Sequence, residues 1–319
     1  MSDILEFSGV TKRYHVREGF FSGRAKTLTA VDDVSLSVGQ GETLGLVGES
    51  GCGKSTLARL AVRLEPPSAG VVRLEGRDIW ETPDMAERMP GLAQMIFQDP
   101  FSSLNPRRTI GWTVGEGLLA QGIGDRRERR ERVQAALAQV GLRPEHAGRY
   151  PHQFSGGQRQ RVAIARSLAL SPKIIVCDEP VSALDVSIQA QVINLLRDLR
   201  EKLGVSYLFI SHDLAVVGHI SRRTAVMYLG RLMELAPTGE IMNAPRHPYT
   251  KALLAAAPVP DPERKALRIV LGGDTPSPFD PPAGCPFHPR CPEAEAACSV
   301  EIPDWLEVSP GHFARCRKT

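Results

Sequence analysis

The sequence predicts an α/β fold that carries a helical insertion and ends in a small cysteine-bearing C-terminal extension. Three observations predict it. Short apolar or alternating runs, as in strands, are interleaved with segments whose apolar residues recur at helical spacing. The stretch "GESGCGKST", residues 48–56, stands where one such run gives way to a helix. The last quarter changes texture, with seven prolines between Pro276 and Pro292 and four cysteines beyond residue 284.

The elements can be taken in order. "ILEFSGVTKRY", "LTAVDDVSLSV" and "GETLGLVG" read as strands, and the glycine-bearing basic stretch "HVREGFFSGRAKT" between the first two reads as a long loop. "KSTLARLAVRL" is helical; "GVVRLEG" and "LAQMIFQ" return to strand. Residues 105–152 turn helical and arginine-rich. There "GDRRERRERVQAALAQVGL" is an amphipathic helix with its charges in water and Val133, Leu137 and Val140 inward. "IIVCDE" and "SYLFISH" are strands buried on both faces, as in a parallel sheet, and between them Ile188, Val192, Leu195, Leu196 and Leu199 keep helical spacing. Near residue 243 a short helix, "HPYTKALLAAA", leads into the proline-rich stretch, which is expected to lack ladder hydrogen bonds and to need another cross-link.

At 319 residues, with a net charge of +3 and 24% charged residues, the chain can hold one large domain with an appendage, or two domains. So mild a positive balance is an ordinary solvated surface and gives no argument for nucleic acid. The opening "MSDILEFSGV" lacks the regions of a secretory signal, and no apolar run nears the roughly 20 residues that span a bilayer. The expectation is a cytoplasmic chain with reduced thiols that meets any membrane through a partner.

"GESGCGKST" follows a strand and opens a helix, the context that gives the pattern G-x-x-x-x-G-K-[ST] its meaning. Backbone N–H groups of Gly48, Glu49, Ser50, Gly51, Cys52 and Gly53 can turn toward phosphates, with the helix N-terminus adding its positive end. Lys54 is expected to reach the β- and γ-phosphates, Ser55 to ligate Mg²⁺, and Thr56 to close the loop. A second half is supplied by "IIVCDEP": Asp178 can hold Mg²⁺ through water, and Glu179 can polarise an attacking water. Cys52 reads as a loop thiol that ligates nothing, Cys177 as a small buried hydrophobe. "FSGGQRQRVAIARSLAL" adds a second glycine loop at a helix start, Ser155, Gly156, Gly157 and Gln158, with no lysine of its own. Two unlike phosphate surfaces in one chain are most simply explained by a dimer that clamps each nucleotide between one chain's lysine loop and the other's serine–glycine loop.

Across roughly residues 1–242 this set resembles the ABC ATPase family. The resemblance implies ATP and Mg²⁺ as cofactors and a RecA-like phosphate-loop core with an antiparallel β-subdomain and an inserted helical subdomain at about 102–168. It also implies roles for single residues. Tyr14 stands where the family stacks an aromatic on adenine. Gln98, in "MIFQDPFSSLNP", matches the glutamine that touches Mg²⁺ and the attacking water beside the transmembrane contact. Asp185, in "SALD", matches a loop that speaks across the dimer interface. His212, in "FISHD", matches the histidine that holds the γ-phosphate. Phe154 departs from the usual leucine.

Three branches compete: an importer subunit with separate membrane chains, a non-transport ATPase, and a paralogue that binds without hydrolysing. No second phosphate loop or long coiled-coil insertion favours the second, and Glu179 with His212 argues against the third. "HPYTKALLAAAPVPDP" with the spaced cysteines is similar to the ATPases of dipeptide and oligopeptide importers. That resemblance extends the reading to residues 243–319. It implies a second, homologous ATPase subunit, two transmembrane permeases, an extracytoplasmic binding protein and a seat on the cytoplasmic face of the inner membrane. The basic loop after Tyr14 resembles the second member of the ATPase pair. Nickel-chelate and glutathione importers share the tail, so the cargo stays open. Cys285, Cys291, Cys298 and Cys316 are spaced C-x₅-C-x₆-C-x₁₇-C, unlike ordinary zinc pairs or ferredoxin runs, and the spacing does not choose a metal. The resemblance implies a [4Fe–4S] cluster; zinc and free thiols remain alternatives, with His288 a bystander in the loop.

Overall fold

The structure is a computed structural model that describes residues 2–17, 25–99, 104–256 and 274–319. Strand β1 (Asp3–Arg17) pairs antiparallel with β2 (Ala25–Gly39). Then come β3 (Thr43–Val47), α1 (Lys54–Ala61), β4 (Ala69–Leu74), the two-residue β5 (Arg77–Asp78), α2 (Met85–Leu92) and β6 (Ala93–Ile96). The long loop expected between the first two strands is shorter than its composition suggested. His15 and Val16 pair with Thr27 and Lys26, because an antiparallel ladder already under way can carry basic residues on a wet edge. The remainder of that stretch lies outside the described residues.

The helical insertion holds α3 (Ile110–Ala120), α4 (Arg126–Gln139) and α5 (Gly156–Leu168). Asp125 and Glu128 form a reciprocal capping box that starts α4. Its arginines stay wet while Val133, Leu137 and the following Val140 are buried. Residues 100–103, within the expected contact with the membrane subunits, lie outside the described residues.

β7 (Ile174–Asp178), α6 (Val186–Leu203), β8 (Ser206–Ser211), α7 (Leu214–Ile220) and β9 (Arg223–Tyr228) complete the central layer. β10 (Arg231–Pro237), α8 (Thr238–Asn243) and α9 (Pro248–Ala256) follow, with β11 (Leu306–Ser309) and β12 (His312–Ala314) in the tail. The first sheet runs β2-β1-β4-β5; the second runs β11-β12-β10-β9-β3-β8-β7-β6. Pairing is parallel from β9 through β3, β8 and β7 to β6 and antiparallel beyond β9. Alternate residues of β7 and β8 enter opposite cores. Ile174, Val176, Leu208 and Ile210 face α1 and the antiparallel sheet; Ile175, Cys177, Tyr207 and Phe209 face the helical side. Burial on both faces keeps the middle of these strands largely apolar, with Asp178 and Ser211 at the carboxyl ends and Ser206 at the start of β8.

The tail corrects part of one expectation. Residues 276–292 form no strand, as expected, yet Cys285 and Phe287 pack into the main core. Phe287 is fully buried among Tyr228, Tyr249 and His247, with ring centroids at 5.4, 5.3 and 5.8 Å. β12 then adds ladder bonds to β10. His312, fully buried, meets the Glu234 carboxylate at 2.7 Å, and that carboxylate also accepts the N–H groups of Arg246 (2.6 Å) and His247 (3.0 Å). The segment had been expected to need an added cross-link because sequence spacing cannot display a tertiary anchor.

Candidate nucleotide site

The phosphate loop leaves β3 and enters α1, whose first residue is Lys54. Gly53 has φ +107°, and a Cβ there would stand 2.1 Å from the Ala30 carbonyl oxygen, so only glycine lets the loop pass. Lys54 is buried, and its ammonium donates to the carbonyls of Gly48 (2.7 Å) and Glu49 (2.9 Å). It thus lies folded under the loop, at the place a phosphate oxygen would compete for. Cys52 is buried, and desolvation pushes its thiol pKa up. Cys177 behaves likewise beneath the sheet.

Ser55 donates to the Asp178 carboxylate at 3.1 Å, bringing together two of the three side chains expected at Mg²⁺. Burial pushes the Asp178 carboxyl up; the Ser55 hydroxyl partly offsets this, and the neighbouring Glu179 charge adds to it. A divalent cation beside it would reverse that balance. Just past the end of β7, Glu179 takes φ +48° and anchors its amide on the Ile210 carbonyl at 3.0 Å. Its Oε2 receives both Gln98 Nε2 at 3.2 Å and His212 Nδ1 at 3.1 Å. Gln98, expected at the attacking water, and His212, expected at the γ-phosphate, therefore converge on one carboxylate oxygen of Glu179.

Tyr14, Gly51, Gly53, Lys54, Ser55, Thr56, Gln98, Glu179 and His212 line one cavity of about 660 Å³, a size that suits a nucleotide. Tyr14 donates to the Glu65 carboxylate, and the Lys12 ammonium lies 5.1 Å from its ring centroid. Further lining residues escaped the sequence reading, among them Arg59, Leu229 and Pro278. Arg59 was detectable, being four residues after Ser55 on the same helix face. Pro278 was not, since it arrives from the tail.

Ser155, Gly156, Gly157, Gln158 and Asp185 do not line that cavity. Ser155 instead caps α5, with its hydroxyl accepting the Gln158 N–H (3.4 Å) and the Gln158 side chain accepting the Ser155 N–H (3.0 Å). A Cβ on Gly157 would meet Ile188 Cγ2 at 2.6 Å, so the glycine sets how closely α5 and α6 approach. Asp185 precedes α6, exposed beside Val186, an apolar residue 81% exposed.

Known proteins share this arrangement. The "ABC transporter" family pattern matches residues 31–182, and the pattern "Oligopeptide/dipeptide transporter, C-terminal region" matches residues 233–298. The chain is 51% identical to the oligopeptide transport ATP-binding protein AppF of Bacillus subtilis, covering 98% of this chain and 96% of that one. It belongs to the ATP-binding subunits of the oligopeptide/dipeptide ABC importers. The di/tripeptide transport ATP-binding protein DppF of Pseudomonas aeruginosa is 48% identical over 95% of this chain and 94% of its own length. A dimeric post-hydrolysis structure of the ATP-binding cassette MJ0796, bound to ADP and phosphate, aligns with TM-score 0.64 at 29% identity. It covers 73% of this chain and 98% of the other. The importer ATPase is an ABC ATPase in fold and activity, hydrolysing ATP in support of transport. Among the described residues no helix is long and apolar enough to cross a membrane.

In the importer ATPase's tail, Cys285, Cys291, Cys298 and Cys316 are free and line one small cavity with His247 and Phe287. The Cys285 N–H donates to the Cys298 carbonyl at 2.8 Å. Burial, with the neighbouring thiols adding, pushes Cys285 to about 11 and raises Cys291 and Cys316. His288 Nδ1 lies 3.0 Å from the Cys285 carbonyl and so is committed elsewhere. Among the described residues no group of three or more His, Cys, Asp or Glu is arranged to hold a metal ion. Neither the [4Fe–4S] expectation nor its zinc alternative gains support beyond the shared cavity.

Proposed function

We propose that this importer ATPase powers uptake of dipeptides or oligopeptides, working with a second homologous ATPase subunit and two membrane permeases fed by an extracytoplasmic binding protein. The observation that carries the catalytic part is the convergence of Gln98 and His212 on the Glu179 carboxylate beside the Ser55–Asp178 pair. Glu179 orients and deprotonates the attacking water, and His212 holds the γ-phosphate. Tyr14 packs on the adenine. Lys54 leaves the loop carbonyls for the β- and γ-phosphates, while loop N–H groups between Ser50 and Thr56 cradle them; the Glu49 N–H is held by the Tyr249 hydroxyl instead. Ser55, Asp178 and Gln98 would hold Mg²⁺, which when bound would neutralise charge developing on the phosphates. Ser155, Gly156, Gly157, Gln158 and Asp185 serve the partner's nucleotide, a reading supported by their absence from this chain's own cavity.

Residues 1–242 form the nucleotide-binding domain and residues 243–319 the importer-type extension; the protein sits peripherally on the inner membrane through the permeases. Peptide as cargo is supported by the names of the relatives AppF and DppF. The test is uptake of labelled di- and tripeptides by vesicles holding the assembled importer, against the same importer carrying Lys54→Ala. ATP-dependent peptide uptake lost in the variant supports the reading; uptake only of nickel chelates or glutathione assigns the alternative cargo. The four thiols are proposed to hold a four-iron cluster, a reading supported by the small cavity they share. Anaerobic purification should give brown protein, whereas colourless protein with four free thiols would remove the cluster.

A further inference from the structure

Glu49, the first residue after Gly48 of the phosphate loop, has its N–H and its carboxylate held from outside the loop's own helix. Its N–H donates to the Tyr249 hydroxyl at 2.9 Å, and Tyr249 belongs to α9. Its carboxylate is forked by the Arg290 guanidinium, Nη1 to Oε2 at 2.8 Å and Nη2 to Oε1 at 3.1 Å. The Thr275 hydroxyl also donates to Oε2 at 2.9 Å. Its carbonyl receives the Lys54 ammonium. Every polar group of this residue is thus engaged, and the extension supplies three of the partners.

Arg290 is not a loosely paired surface arginine. Its side chain is 8% exposed, and Nη1 also reaches the Tyr228 hydroxyl and the Thr275 hydroxyl at 3.3 Å each. It ends the short turn that Phe287 wedges into the core, so its place is fixed by packing as well as by charge. Nε is buried with no partner, so Glu49 is the anion that compensates this guanidinium. The paired carboxylate raises the arginine's pKa further still. A bidentate charge-assisted fork fixes both distance and plane, which a lysine cannot do.

We infer that Arg290 of the extension is a positioning residue for nucleotide binding, setting the phosphate loop through Glu49. This rests on the nucleotide reading of the cavity. Arg290 does not line the nucleotide cavity. By forking the Glu49 carboxylate it sets that residue's backbone, and so the carbonyl that receives the Lys54 ammonium, where the loop must start before phosphate arrives. The extension is then part of the ATP site, and its effect falls on affinity more than on the hydrolytic step, which is made by Glu179 at the far side of the cavity.

The test measures KM for ATP and kcat of the assembled importer, and the thermal midpoint without nucleotide, for Arg290→Met, Arg290→Lys, Glu49→Gln and the double variant Arg290→Met with Glu49→Gln. The expected result is a KM about tenfold higher, equal to about 1.4 kcal/mol, in Arg290→Met and in Glu49→Gln. The rise in KM exceeds any fall in kcat, and Arg290→Lys lies between. The double variant should be no worse than either single one, as coupled partners require. Glu49→Gln decides the matter if Arg290→Met does not fold. A lowered midpoint with unchanged KM, or fully additive effects, overturns the inference. A wild-type importer that binds no ATP overturns the nucleotide reading itself and is recognised by that control.

Discussion

At the scale of single residues, Glu179 does two things with one carboxylate. It receives Gln98 and His212 on Oε2, and its backbone sits at φ +48°, in the left-handed region just past the end of β7. Glu179→Gln keeps the size and most of the hydrogen bonding but cannot take a proton. ATP binding should survive, and turnover of the assembled importer should fall on the order of 10²-fold or more. Near-normal ATPase activity in the variant would place the base elsewhere. The sequence pointed to this residue because strand end and phosphate loop together leave few sites for it. Arg290 carried no such signal, since an arginine between spaced cysteines resembles any other loop arginine until the fold brings Glu49 to it.

At the scale of elements, the junction of β2 with β3 is tied to β9 by a fork of Arg223 on Glu42, at 2.8 and 2.9 Å, with the Gly39 N–H on the same carboxylate. Burial alone would push the Glu42 carboxyl up. The Arg223 hydrogen bonds and charge, with the Gly39 amide, outweigh it and leave the group below the usual carboxylate range. A carboxyl lowered in the folded state stabilises above its unfolded pKa of about 4.3 and loses that contribution as pH falls through the folded value. Glu42→Gln should lower stability by about 3 kcal/mol at neutral pH, the scale for removing one partner of a buried pair. The difference from wild type should shrink in denaturant titrations below pH 4; a gap constant down to pH 3 would contradict the linkage. The tail is anchored differently, by Phe287. Phe287→Ala should cost about 3–5 kcal/mol, and hydrogen exchange should then quicken in β11 and β12 before the central strands. Equal protection in both variants would mean the tail is held without it. The central strands were legible because burial on both faces writes an unbroken apolar run. β9 and β10 were not assigned, and β11 and β12 were hidden behind the prolines, because their pairing is a tertiary fact with no local period.

At the scale of the whole molecule, one chain holds the lysine loop and the serine–glycine loop on separate surfaces. Val186 stands exposed beside Asp185 at the latter. Turnover should therefore depend on meeting a second subunit. The isolated chain should hydrolyse ATP weakly, with a specific rate that rises with concentration and with addition of the partner chain. A high rate independent of concentration, in the chain alone, would count against a shared site. The fold class and the nucleotide half-site could be read from the chain in isolation, whereas the tail's reach to the phosphate loop could not, being a contact across most of the sequence. That reach has a consequence in time. Arg290 follows Glu49 by 241 residues. At synthesis rates of about 5–20 residues per second, the loop waits on the order of 10–50 s for its guanidinium to be made. For that interval the growing chain has its glycines and lysine but not their outer brace, so full nucleotide affinity should come only after Arg290 has been made.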